Sequence, residues 1–143
     1  MLISVRTPTH DITWLKDAYD SLKAQTYTNR EWCVFFNNRK DDEQYKKDIQ
    51  KLYDMAKEDP RVKIFIDTCP EDAYNKKYIG RLKHEICMLC KGDRLVELDH
   101  DDLLTPDCLE EISKVPEEYG MCYSNTVNVD WPSMKPRSFR EDN

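Results

Sequence analysis

Apolar and polar positions along this chain switch repeatedly between two periods. Residues 2–6 form a short strand-like run. Ile12, Leu15, Ala18, Tyr19 and Leu22 then recur at helical spacing behind Asp11, a residue suited to a cap, and predict a helix over 11–25. Residues 32–36 are apolar and rich in aromatic and β-branched types, as in a buried parallel strand. A polar helix is predicted over 41–57, with Ile49, Leu52 and Met55 as its inner stripe. Asp59 and Pro60 stop it before a third strand at 62–66. Residues 69–75 read as loop. A helix over 78–90 turns Leu82, Ile86, Leu89 and Cys90 inward and ends at Lys91 and Gly92. A strand over 95–98, a helix over 106–114 and a strand over 120–127 follow, and residues 131–143 show no periodicity. The alternation predicts an α/β domain over residues 1–130, a mostly parallel sheet with helices on both faces, and an irregular tail over 131–143.

Composition narrows the class without changing this picture. A chain of 143 residues, 35% of them charged, holds one core and has no apolar run near the roughly 20 residues that cross a bilayer. The start at Met1 runs straight into a strand pattern with no signal-like stretch, so the expected location is cytoplasmic. A net charge of −6 argues against nucleic acid as a partner. The six cysteines fall mostly inside strand and helix patterns and read as free core thiols. Cys87 and Cys90 have a zinc-like spacing, but no second pair accompanies them and they sit within a helix, so they too read as packing.

The chemistry concentrates in residues 94–107. The predicted strand ends in Asp99, His100, Asp101 and Asp102, and Thr105, Pro106 and Asp107 open a helix with a cap, a first-turn proline and a favourable charge. Side chains two apart on an extended backbone share a face, so Asp99 and Asp101 can meet one ligand. Crowded carboxylates favour a hard cation, magnesium or manganese, that leaves positions for phosphate oxygens. The competing reading is a solvated, helix-capping turn. The location after a strand, where open α/β sheets bind ligands, favours the metal.

Four segments in order resemble the family 2 glycosyltransferases of the GT-A fold. Ile3 to Asp11 is similar to that family's opening strand and its Pro-Thr-Tyr-Asn turn, and Ser21 to Tyr27 to its Ser-x-x-x-Gln-Thr-Tyr helix end. Glu31 begins the second strand as it does there. Lys91, Gly92 and Asp93, then Asp99 to Asp102 and Thr105, Pro106, Asp107 and Leu109, resemble its metal motif. The resemblance implies a GT-A nucleotide-sugar-binding domain and a transferase that takes a nucleotide-diphosphate sugar with Mn2+ or Mg2+. The reaction it implies is inverting, with a glycan, lipid or protein acceptor that the sequence does not identify.

By the same resemblance, Pro8, Thr9 and His10 line the base and ribose, His10 standing where an aromatic is usual. Asn37 takes the second place of an Asp-Asp pair that reads the base, Phe36 the first, so an amide replaces a carboxylate and the usual uracil preference is open. Lys83, with His84, holds the place of an Arg-Asn pair and would reach the diphosphate or ribose. Asp99 and His100 face the donor, and Asp101, with Asp99, holds the metal. Several have a local alternative: His10, Asn37 and Asn38 as turn formers, Lys83 as a solvated helix lysine.

The resemblance gives no match for the general base. Glu117, Glu118, Asp130 and Glu141 are available, and two explanations stand open: a fragment or minimal donor-binding portion that lacks the acceptor part, or an acidic residue near the end that has taken over as base. Two further readings compete: a non-catalytic nucleotide-sugar-binding module, and a phosphatase of the haloacid dehalogenase type. The second also carries Asp-x-Asp after a strand, but in its first strand and with other residues downstream.

Overall fold

The computed structural model describes residues 1–37, 43–67, 79–130 and 132–140, and the predicted loop at 69–75 lies outside them. Two compact units divide the chain, Met1–Ser113 and Lys114–Asn143. The first contains β1 (Ile3–Thr9), α1 (Leu15–Lys23), β2 (Arg30–Phe36), α2 (Glu43–Glu58), β3 (Val62–Ile66), α3 (Ile79–Leu89), β4 (Arg94–Glu97) and α4 (Cys108–Lys114), whose last residue opens the second unit. Its sheet has the order β3-β2-β1-β4, with every neighbouring pair parallel.

Register explains the layers. Val5 pairs with Trp32 and with Val96, and Thr7 with Val34, so one sheet face carries Ile3, Val5, Trp32, Val34, Phe36 and Val96. Leu15, Ala18 and Leu22 of α1, Leu52 of α2 and Leu109 of α4 close over that face. The alternate residues Cys33 and Phe35 point the other way, against Leu82 and Ile86 of α3. Helices therefore cover both faces, as the alternating pattern predicts. Burying side chains of this size contributes roughly 1.5–3 kcal/mol each, and the polar residues buried in the central strands, among them Ser4, Thr7 and Glu31, are held by hydrogen bonds.

Several boundaries differ from the sequence reading. The first helix starts at Leu15, not Asp11, because the Asp11 carboxylate accepts from the Thr13 amide at 3.0 Å and the Thr13 hydroxyl at 2.5 Å, forming a local turn instead of a helix cap. β4 is less buried than its apolar letters suggest. It is an edge strand among the described residues, and Leu95 is 47% exposed on the face opposite Val96.

The second unit is a small antiparallel hairpin. β5 (Thr126–Asp130) pairs with β6 (Lys135–Arg140), with a register shift at Asn128 and Val129. The strand predicted at 120–127 lies later than expected, and part of the stretch read as irregular is β6. Met134, with φ 58°, makes the tight return that periodicity does not reveal.

One backbone approach is a direct test of this packing. The Gly92 amide donates to Ser4 Oγ at 2.7 Å, and a Cβ on Gly92 would stand 2.6 Å from the Ser4 nitrogen and 2.9 Å from the Leu2 oxygen. Gly92→Ala should destabilise the domain by about 1–3 kcal/mol in urea denaturation, as overpacking against backbone does. Gly80→Ala, with nothing within 4 Å, should be neutral or stabilising by up to about 1 kcal/mol.

Candidate functional site

The sheet order defines where a ligand belongs. From β1 the chain winds outward through β2 and β3, then returns by α3 to place β4 on the other side of β1. The carboxyl ends of β1 and β4 therefore flank the point where winding reverses, the usual crevice of an open α/β sheet.

Residues from three strand ends converge there. The last rung of the β1–β4 ladder is the Leu98 amide on the Arg6 carbonyl at 3.0 Å, and the buried Thr7 hydroxyl donates to the Leu98 carbonyl at 2.6 Å. These bonds deliver the next residue, Asp99, to the sheet edge. Thr9 Oγ1 lies 2.7 Å from His100 Nδ1, and its hydroxyl also bonds the Asp11 carbonyl at 2.8 Å. The His10 and His100 rings stand 5.3 Å apart at 48°. The Asn37 amide donates to the Thr9 carbonyl at 2.9 Å, bringing the end of β2 to the same place. Thr9, His10, Asn37, Asp99, His100 and Asp101 thus gather from three strand ends, and Pro8 adjoins them within β1, half-buried beside Phe35.

The acidic residues form an exposed turn closed by the Asp102 amide on the Asp99 carbonyl at 3.1 Å. Partial burial, then the charges of Asp101 and Asp99, push the Asp102 carboxyl above its ordinary range. The opposite holds at Asp11, where the Thr13 hydroxyl and amide hold the carboxyl down, helped by His100 and His10. The turn gathers hard carboxylate oxygens, the donor chemistry that suits magnesium or manganese. Its three aspartates do not draw their ligand atoms together within 4.8 Å; among the described residues that occurs at Glu31, Cys33 and Cys90. A hard cation shared with a diphosphate needs only one or two protein carboxylates, so Asp99 and Asp101 fit it.

Lys83 stands differently from the sequence reading's picture. Its ammonium pairs with Glu97, which also receives Arg6 at 3.3 Å, and it is the first cause holding the Glu97 carboxyl down. Of the base candidates, Glu117, Glu118 and Asp130 are exposed residues of the second unit, and Glu141 lies outside the described residues. Among the described residues, a groove of about 1030 Å³ between α1 and α2 touches the site through His10 and Asp11.

Sequence reasoning missed the supports of the acidic turn. Gln25, 4% exposed, donates to the Thr105 carbonyl at 2.7 Å and accepts from the Leu109 amide at 3.0 Å. Ser21 accepts from the Leu104 amide at 3.3 Å, and the Thr26 amide donates to the Pro106 carbonyl at 2.9 Å. The Ser-x-x-x-Gln-Thr spacing is the signal: one residue on the α1 face and two just past its end bind the segment that follows the acidic turn.

No family model matches the chain. It is 26% identical over 134 residues to chondroitin synthase of Escherichia coli, covering 90% of this chain and 18% of that protein. It is 29% identical over 116 residues to the uncharacterised protein y4gI of Sinorhizobium fredii, covering 80% and 12%. Among solved structures, S. aureus TarS in complex with UDP superposes with a TM-score of 0.61 at 18% identity over 79% of this chain and 31% of that one. TarS in complex with UDP-GlcNAc gives 0.59 at 17% identity, over 79% and 30%. The fold is thus that of GT-A glycosyltransferases, and the chain spans less than a third of the length of each of these proteins.

The crowding at Asp102 yields a measurable order. Because the folded state favours its protonated form, ionisation of Asp102 opposes folding above its midpoint, and that opposition fades as pH falls through it. A carbon-detected NMR titration should place its midpoint above 3.8, and Asp101→Asn should lower it more than Asp99→Asn. An unmoved midpoint in both variants would assign the shift to burial alone.

Proposed function

We propose that this chain is the donor-binding portion of a glycosyltransferase, one that holds a nucleotide-diphosphate sugar at the carboxyl edge of β1, β2 and β4 with a divalent cation. The observation that carries the reading is the convergence of Thr9, Asn37 and the Asp99–Asp102 turn at the winding reversal of a GT-A sheet. TarS, solved with UDP and with UDP-GlcNAc, supports the donor class, and chondroitin synthase supports the transferase class.

The residues divide the work by their chemistry. Pro8 and Thr9 form the floor, and the paired rings of His10 and His100 offer an aromatic wall for the base or ribose. Thr9 also fixes His100: its hydroxyl hydrogen satisfies the Asp11 carbonyl, so His100 Nδ1 acts as donor and Nε2 remains an acceptor for a ribose hydroxyl. Asn37 meets the base edge with both a donor and an acceptor, which broadens base choice beyond what a carboxylate permits. Asp101 and Asp99 would hold Mn2+ or Mg2+, whose chemistry is to neutralise charge developing on the departing nucleoside diphosphate. Lys83 would assist the diphosphate only by leaving Glu97. An inverting transfer, its general base and its acceptor belong to the same proposal, with the base supplied from outside the Met1–Ser113 unit.

The test is calorimetry with UDP, GDP and CDP, first with Mn2+ and then with chelator. Binding should require the cation, because the acidic turn otherwise repels the diphosphate. Asp101→Ala should weaken metal-dependent binding by at least about tenfold, about 1.4 kcal/mol, while unfolding stability stays within about 0.5 kcal/mol. Equal affinity in chelator would refute the metal's role, and a collapse of stability in Asp101→Ala would make that residue structural.

A further inference from the structure

A second cluster of potential ligands lies at the other end of the sheet. Glu31 and Cys33 are on β2, and Cys90 follows the last turn of α3. Their ligand atoms, one carboxylate oxygen and two sulfurs, all lie within 4.8 Å of one another. Glu31 is 6% exposed and Cys33 fully buried, so this is an interior arrangement. Along β1 the neighbouring Ser4 stands five residues from Thr9, about 16 Å at roughly 3.3 Å per residue, which separates it from the acidic turn.

The cluster is organised for negative charge. Ser4 Oγ donates to Glu31 Oε1 at 2.6 Å, and the Lys91 amide donates to the same oxygen at 2.7 Å. Burial pushes the Glu31 carboxyl up, but these two bonds and the Cys33 thiol outweigh it and leave it below its usual range. The Cys33 and Cys90 sulfurs hydrogen-bond each other across the gap between β2 and the end of α3. Cys87, the zinc-like partner in sequence, is engaged elsewhere by the Arg6 guanidinium. The fold therefore replaces the Cys87–Cys90 pair with Cys33 and Cys90 from two different elements.

We propose that Glu31, Cys33 and Cys90 form a binding site for a thiophilic divalent cation of the zinc class, with the fourth position taken by water or Ser4 Oγ. Bonds of about 2.3 Å to sulfur and about 2.0–2.2 Å to oxygen set tetrahedral ligand atoms roughly 3.3–3.8 Å apart, inside the 4.8 Å within which the three ligand atoms lie here. Binding displaces the thiol protons to solvent and leaves two thiolates and a carboxylate around the cation. The ion ties the end of α3 to β2 beneath the Lys91–Gly92 turn. Its soft ligands distinguish it from the hard oxygen site at Asp99 and Asp101.

The reduced full chain should be titrated anaerobically with Co2+. One equivalent should produce thiolate-to-cobalt charge-transfer absorption with tetrahedral d–d bands, and Zn2+, but not Mg2+ or Mn2+, should bleach it. Cys90→Ser should weaken binding at least about a hundredfold, since even outer-shell changes cost about 10–100-fold, and Cys87→Ser should leave it intact. If Cys90→Ser does not fold, wild-type alkylation decides: Zn2+ should protect Cys90 from iodoacetamide and leave Cys87 unaffected. Absence of charge transfer, its survival in Cys90→Ser, its loss in Cys87→Ser, or equal labelling of Cys90 with and without Zn2+ would overturn the proposal. So would air oxidation to a Cys33–Cys90 disulfide in a chain that takes up no Co2+.

Discussion

The Thr7 hydroxyl is the point on which the candidate site depends. It is fully buried, accepts from the Trp32 indole at 2.9 Å and donates to the Leu98 carbonyl at 2.6 Å. One hydroxyl thus links β2, β1 and the end of β4 in line. A buried hydroxyl without partners costs roughly 1–3 kcal/mol, so both bonds are needed for it to sit in the apolar layer. Where it binds Leu98, β4 stops pairing and the chain enters Asp99. The acidic turn is placed by this termination of the ladder.

What the termination places, α1 and its following residues hold. Gln25 satisfies one amide and one carbonyl on either side of Pro106, and Ser21 and Thr26 reach the same segment. The turn itself has few constraints of its own; Asp99, Asp101 and Asp102 are exposed and repel one another. Rigidity is borrowed from α1, whose apolar face is buried against the sheet. Mutually repelling carboxylates on a firmly held backbone are the arrangement that the proposed cation would relieve.

The sheet and most helices were legible because periodicity reports burial directly. Val62–Ile66 matches its predicted span, and the pattern over 78–90 contains α3. The acidic turn was legible because strand, Asp-x-Asp and helix start are contiguous in the chain. Lys83 was placed by position alone, and its ion pair with Glu97, fourteen residues on, leaves no local mark. The Cys33–Cys90 approach was invisible for a related reason, since it depends on α3 crossing the back of β2. The β5–β6 return at Met134 was missed because a non-glycine residue holds the left-handed conformation.

Hard and soft donors are therefore segregated at opposite ends of the same parallel sheet. The aspartates stand past its carboxyl edge, where strands deliver side chains into a crevice, and the thiols lie near its amino edge under α3. The central claim, that the crevice between β1 and β4 holds a nucleoside diphosphate with its cation, is tested most directly by paramagnetic NMR. With UDP and substoichiometric Mn2+, the amides of Thr9, His10, Asn37 and Asp99 to Asp102 should broaden first, while those of Glu31, Lys91 and Gly92 stay sharp. Broadening centred anywhere else, or the same broadening in Asp101→Ala, would contradict the account.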